Sequence, residues 1–200
     1  MGGHPVHRWR ALSLGGAALF LALAALVFAV GLLPGDATLY EEVSARRTPA
    51  IRDFFSWVNI FGSWTGLLPA SLVLLAISPE ARKRWWLIVL VLLVAPAIEQ
   101  GAKLLVGRTR PRGSAMGFPS GHVTGAVSFA VIAIYFAIKE RWSRGQRVGL
   151  TAVVVVMVVL VGLARLVLHA HWPSDVLGGL LLGSSCAAAG AWWDARGSVA

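Results

Sequence analysis

The chain has 200 residues, of which 57% are hydrophobic and only 14% charged, whereas soluble domains carry about a quarter charged residues. That balance excludes an ordinary soluble protein and points to one membrane-embedded domain, residues 1–200, with no room for a separate soluble one. A net charge of +9 would suggest nucleic acid in a soluble chain. Here the basic residues sit mainly in short connections between apolar runs, which favours membrane topology and anionic headgroups over a nucleic-acid partner.

A short basic start, His4 to Arg10, leads into residues 11–33, an uncharged stretch long enough to cross a hydrocarbon core of ~30 Å. A cleaved signal peptide fits less well, because the apolar run is too long and no clear Ala-x-Ala site precedes Asp36. Residues 36–57 mix Glu41, Glu42, Arg46, Arg47, Arg52 and Asp53 with Leu39, Tyr40, Val43, Ile51, Phe54 and Phe55. Such a pattern predicts a helical segment lying in the interface. Further spans are expected at 60–77, 85–106, 123–138, 148–168 and 176–193, the first of them weakened by Gly62, Gly66 and Pro69. The fold class is therefore all-α: a polytopic membrane protein with six transmembrane helices and an interfacial segment between the first two.

Six spans put both termini on one side, together with Arg8, Arg10, Arg82, Lys83, Arg84, Lys139, Arg141, Arg144 and Arg147. The positive-inside rule makes that side cytoplasmic. Trp9, Trp57, Trp64, Trp85, Trp86, Trp142, Trp172, Trp192 and Trp193 all fall near span ends, the distribution of an aromatic belt. Cys186 has no intrachain partner and says nothing about redox compartment.

Three polar clusters fall on the outer face. In the first, Lys103 and Arg110 lie seven residues apart, and Gly107 and Pro111 interrupt any helix between them. Lys103 is expected at a helix end, paired with Glu99 four residues earlier. Arg108 and Arg112 read as headgroup contacts, Lys103 and Arg110 as phosphate ligands. The second cluster, Pro119-Ser120-Gly121-His122, reads as a helix start. It is either an ordinary cap or an anion site built on free N–H groups and the helix dipole. In the third, His171 and Asp175 have the spacing that lets a carboxylate hold one imidazole nitrogen and leave the other free. Arg165 near the end of the fifth span is costly unless it faces a polar cavity, and His169 reads as a headgroup contact. A metal fits poorly among Lys103, Arg110 and Arg165, which suit an anion instead.

Lys103-x6-Arg110-Pro111, Pro119-Ser120-Gly121-His122 and Arg165-x5-His171-x3-Asp175 together resemble the tripartite signature of the type 2 phosphatidic acid phosphatase and vanadium haloperoxidase superfamily. The order, the internal spacings and the separations all agree. One position departs: Ala164 stands where the family usually has serine. The resemblance implies His171 as nucleophile forming a phosphohistidine, Asp175 as its orienting carboxylate and His122 as general acid. It implies Lys103, Arg110, Arg165, Ser120 and the Gly121 N–H as phosphate ligands, with no metal and no cofactor. The haloperoxidase branch is disfavoured because its members are soluble.

The expected function is thus metal-independent hydrolysis, at the outer face of the cytoplasmic membrane, of a lipid phosphate or diphosphate. Undecaprenyl diphosphate, phosphatidic acid and phosphatidylglycerol phosphate are the candidate substrates. A lipid phosphotransferase sharing the phosphohistidine and a non-catalytic lipid-phosphate binder are the alternatives. A transporter or channel would place its charges near mid-span; here they gather at one end.

Overall fold

A computed structural model describes residues 5–114 and 116–197. His4 of the basic start, Ala115 in the second outer connection and residues 198–200 of the polar tail lie outside the described residues. All regular structure among those described is helical: α1 (Pro5–Val30), α2 (Asp36–Ala45), α3 (Pro49–Val58), a 3-10 turn (Asn59–Gly62), α4 (Trp64–Ile77), α5 (Pro79–Lys83), α6 (Trp85–Val106), α7 (Gly121–Lys139), α8 (Arg144–Val167) and α9 (Pro173–Gly197). Five of these, α1, α6, α7, α8 and α9, are long and apolar enough to cross a membrane.

The expected span at 60–77 takes a different form. Its helical part, α4, has 14 residues, about 21 Å at 1.5 Å per residue, too short for a full crossing. It completes a sixth span only together with the preceding segment, from which it is bent by 53°. The break has a packing cause. A Cβ on Gly62 would fall 2.7 Å from Val161 and 2.8 Å from the His122 carbonyl oxygen, so only glycine lets the 3-10 turn lie against α7 and α8. The interfacial segment is two helices: α2, and α3, which starts with Pro49 in its first turn and Thr48 Oγ1 accepting from the Ile51 N–H at 3.2 Å.

Among the five long apolar helices α7 is the most enclosed, and it is packed between α6, α8 and α9. A Cβ on Gly179 would lie 2.6 Å from the Ser120 carbonyl oxygen, and one on Gly183 2.5 Å from that of Thr124. This small-residue face brings the α7 and α9 backbones into close contact, as in other membrane helix pairs. Helix α1 covers the far side of α9 and sets Phe20 flat against Phe118, ring centroids 5.8 Å apart. Leu19, Leu21, Phe28, Leu104, Leu105 and Val153 are exposed on the outside of the bundle, where they meet lipid.

Polar ties join the helices at both ends. At one end the start of α1, the α5–α6 junction and the ends of α7 and α9 meet around Asp194. At the other, the α6–α7 and α8–α9 connections meet α2 and the 3-10 turn. The three polar clusters of the sequence belong to this second end.

Candidate active site

Helix α6 stops at Gly107, whose left-handed backbone (φ 61) closes it. The chain then makes a tight loop in which the Gly117 N–H donates to the Arg108 carbonyl at 2.7 Å and the Arg110 N–H to that of Ser114 at 2.8 Å. Arg110 lies along this loop and donates from Nε and Nη2 to the Met116 carbonyl at 3.3 and 3.2 Å. One turn before the helix end, Lys103 is buried in an ion pair with Glu99.

Ser120 ends the loop as the N-cap of α7, and its N–H donates to the Asp175 carbonyl at 3.0 Å. Its Oγ is buried and makes no hydrogen bond. A fully buried hydroxyl without a partner is costly, and here it sits beside the free N–H groups of a helix start, where an anion would satisfy both. His122 follows in the first turn.

The third cluster is the most tightly built. Asp175, fully buried at the start of α9, accepts from the Trp172 N–H at 2.9 Å and faces His171 Nδ1 at 3.3 Å, both through Oδ2. With a proton on Nδ1, Nε2 of His171 keeps its lone pair. Burial pushes the His171 imidazole down to about 4; Asp175 pulls it up, while Arg165 and Arg110 push it further down. The ring is therefore neutral near pH 7, the form in which an imidazole can act as a nucleophile.

Arg165, Lys103, Arg110, His122 and His171 come from three separate stretches and lie close enough to interact electrostatically. Below them a cavity of about 220 Å³ runs into the bundle, lined by Lys103, Glu99 and His122 at its polar end and by Leu67, Val91 and Pro96 deeper down. Ala164 is buried in an apolar cluster with Val58, Val123 and Val161, so its missing hydroxyl is replaced by core packing.

Three residues join the site that the sequence did not single out. Arg108, expected at headgroups, is buried instead. Its Nη1 donates to Asp175 Oδ1 at 2.8 Å and to Ser174 Oγ at 2.6 Å, and its Nη2 to Asp36 Oδ2 at 2.5 Å. Asp36 also accepts from the Leu33 N–H, the Ser174 N–H and Ser174 Oγ at 3.0, 2.9 and 2.7 Å. Burial alone would raise the Asp36 carboxyl; the bonds from Ser174, Arg108 and Leu33 outweigh it and hold the group below its ordinary value. Asn59, in the 3-10 turn, accepts from Arg165 Nη1 through Oδ1 and places Nδ2 3.3 Å from His122 Nε2. The available signal was a lone amide, and a lone carboxylate, at the edge of an apolar run. His169 also differs from expectation: it bonds Ser44 Oγ at 3.0 Å and rests on Tyr40, so it docks α2 onto the α8–α9 connection.

Residues 112–197 match the PAP2 superfamily, a stretch that holds the second and third clusters and starts just after Arg110. The chain is 28% identical over 173 residues to phosphatidylglycerophosphatase B of Bacillus subtilis (strain 168), covering 82% of this chain and 85% of that protein. Its structure superposes on the crystal structure of the transmembrane PAP2-type phosphatidylglycerolphosphate phosphatase of Bacillus subtilis with a TM-score of 0.79 and 25% identity, over 94% of this chain and 96% of that one. The fold is also that of LpxE of Aquifex aeolicus, at a TM-score of 0.65 and 20% identity over 80% and 97% of the two chains. The cluster geometry, the helical bundle and these likenesses agree: the chain is similar to the membrane-embedded lipid phosphatases of the PAP2 superfamily.

Proposed function

We propose that this chain hydrolyses the phosphomonoester of a glycerophospholipid, with phosphatidylglycerol phosphate as first candidate, through a phosphohistidine on His171. The observation that carries the reading is the buried His171–Asp175 pair, with Nδ1 held by the carboxylate, set beside three cations from other segments. Phosphatidic acid and undecaprenyl diphosphate are the competing substrates. The Bacillus subtilis relative is a phosphatidylglycerophosphatase, which orders the three.

Arg165, Arg110 and Lys103 neutralise the phosphoryl oxygens, and the Ser120 hydroxyl and Gly121 N–H complete the cradle. His171 Nε2 attacks phosphorus as the bond to the lipid oxygen breaks, and His122 gives its proton to that oxygen. Asp175 stabilises the positive charge that forms on the imidazole. In the second half, water gives its proton to His122 and attacks phosphorus; the N–P bond breaks and inorganic phosphate leaves. Fixed cations take the role that divalent ions play elsewhere, so no metal is required. The apolar depth of the cavity, Leu67, Val91 and Pro96, receives the start of the lipid chains. On this reading both termini lie in the cytoplasm and the site opens outward, an orientation that the basic Arg82–Arg84 and Lys139–Arg147 connections support.

Phosphate release from a panel of lipid phosphates in detergent with excess EDTA tests the reading. Wild type should turn over, vanadate should inhibit it, and His171→Ala should lose at least about 10³-fold in kcat. Turnover that survives His171→Ala ends the phosphohistidine mechanism. Tight binding of the lipid phosphate without release of phosphate makes the chain a binder.

A further inference from the structure

Asp175 does not stand alone against His171. Its Oδ1 is held by Arg108 at 2.8 Å, and Arg108 is held in turn by Asp36 at 2.5 Å. Ser174 Oγ ties the two together, accepting from Arg108 at 2.6 Å and donating to Asp36 at 2.7 Å. The four residues come from the start of α2, the α6–α7 connection and the start of α9, and all are at least nine-tenths buried. An arginine bonded to Asp175 alone would cancel the carboxylate that the phosphohistidine imidazolium needs. A second carboxylate on the same guanidinium removes that conflict: two negative charges and one positive leave one unit for His171.

We infer that Asp36 and Arg108 are positioning residues of the hydrolytic reaction: Arg108 fixes which Asp175 oxygen faces His171, and Asp36 absorbs the arginine's charge so that Asp175 keeps its own. The inference rests on His171 as nucleophile. The side-chain bonds of Asp36 and Arg108 run to each other, to Ser174, to Asp175 and to the Leu33 N–H, so their effect reaches the substrate through Asp175 and His171. The groups facing that imidazole are Asp175 on α9, Arg165 on α8, Arg110 on the α6–α7 connection and His122 on α7. Within this mostly cationic set, the balance at Asp175 decides how readily the ring takes positive charge.

The directions follow from charge. Removing Asp36 leaves Arg108 to draw on Asp175, which disfavours the imidazolium. Asp36→Asn should therefore lower kcat by about tenfold or more with KM nearly unchanged. Removing Arg108 leaves Asp175 and Asp36 both uncompensated, which favours the imidazolium. Arg108→Gln should move the acid limb of kcat/KM, set by the protonation of His171, to higher pH. The double variant restores a single net negative charge. It should return the limb to its wild-type position and lose less rate than the two single losses multiplied together. Multiplicative losses with an unmoved limb in Arg108→Gln overturn the inference and leave Asp36 and Arg108 as a structural tie. Where a single variant fails to fold, the double and Arg108→Lys are read instead. Both preserve the net charge, and a displaced limb in either overturns the idea. The two readings separate cleanly. Turnover retained by His171→Ala removes the nucleophile itself. An inactive His171→Ala beside an Asp36→Asn with wild-type kcat removes only the positioning role.

Discussion

The two ends of the bundle spend similar residues in opposite ways. At the terminal end, Arg84 donates to Asp194 at 2.8 Å and to Glu80 at 2.5 Å, while Lys139 and Tyr135 both bond Asp194. Glu140 accepts from Ser78, the Glu80 N–H and Trp142 at 2.5, 2.9 and 2.9 Å. Cations and carboxylates answer one another there, and the result is a clamp joining α5, α6, α7 and α9. At the site end the charges are more deeply buried, yet Ser120 Oγ and Arg165 Nε have no partner. Burying a charge without complete compensation is expensive, and natural sequences tolerate the cost where a ligand completes the set. Excess cation at one end and mutual satisfaction at the other distinguish an anion site from a structural clamp, even though both are built from arginine, lysine and acid.

The comparison breaks most sharply at Arg165. Its Nη1 bonds Asn59 while its Nε is buried without a hydrogen-bond partner. On the proposed mechanism, Arg165→Gln removes a cation that binds the phosphoryl group and should lower kcat/KM by about 10² to 10³-fold. Arg165→Lys should restore little of this, because an ammonium cannot replace a planar two-point donor. Full activity in Arg165→Gln would mean that this arginine only braces the 3-10 turn.

Asn59 offers a smaller and more pointed test. Because Arg165 donates to Oδ1, the amide must present Nδ2 to His122, which would hold the proposed general acid in place. Asn59→Leu keeps the volume and removes both contacts. It should lower kcat by about tenfold and leave the affinity for vanadate, which senses the cations, almost unchanged. A loss of vanadate affinity equal to the loss of kcat would assign Asn59 to phosphate binding through Arg165.

Much of this contrast was legible in the chain. The long uncharged runs give α1, α6, α7, α8 and α9 because a bilayer leaves backbone groups no partner but their own helix. The clusters at Lys103–Arg110, Ser120–His122 and Arg165–Asp175 stand out because ionisable residues such as Lys103 and Arg165 within an apolar run are rare and costly. What stayed hidden depends on tertiary contact. Arg108 and Arg112 look alike in sequence, both flanking Arg110, yet one is buried on Asp36 and Asp175 while the other is exposed. Nothing local separates them, since the partner that buries Arg108 lies 72 residues away. The 53° bend before α4 is likewise a product of packing, made possible by Gly62 against Val161 and His122. That bend carries Asn59 to the site, so an unbroken span could not have revealed its role.

The smallest effect on chemistry, and a real one on stability, is expected at the opposite end. Asp194 Oδ1 meets Arg84 at 2.8 Å and Oδ2 meets Lys139 at 2.5 Å, so one carboxylate on α9 anchors both the start of α6 and the end of α7. Opposing bonds leave this group acting as a strut, with no atom directed at a ligand. Asp194→Asn keeps the shape but removes the carboxylate charge that Lys139 and Arg84 share, while Arg84 keeps Glu80, a loss of about 1–3 kcal/mol. In detergent the apparent melting temperature should fall by several degrees, roughly 2–4 °C per kcal/mol for a chain of this size. At a temperature where both proteins are folded, kcat and the pH profile should match wild type. A changed pH profile in Asp194→Asn would show that charge at the terminal end is felt by His171 across the bundle, and the two ends would then have to be treated as one electrostatic unit.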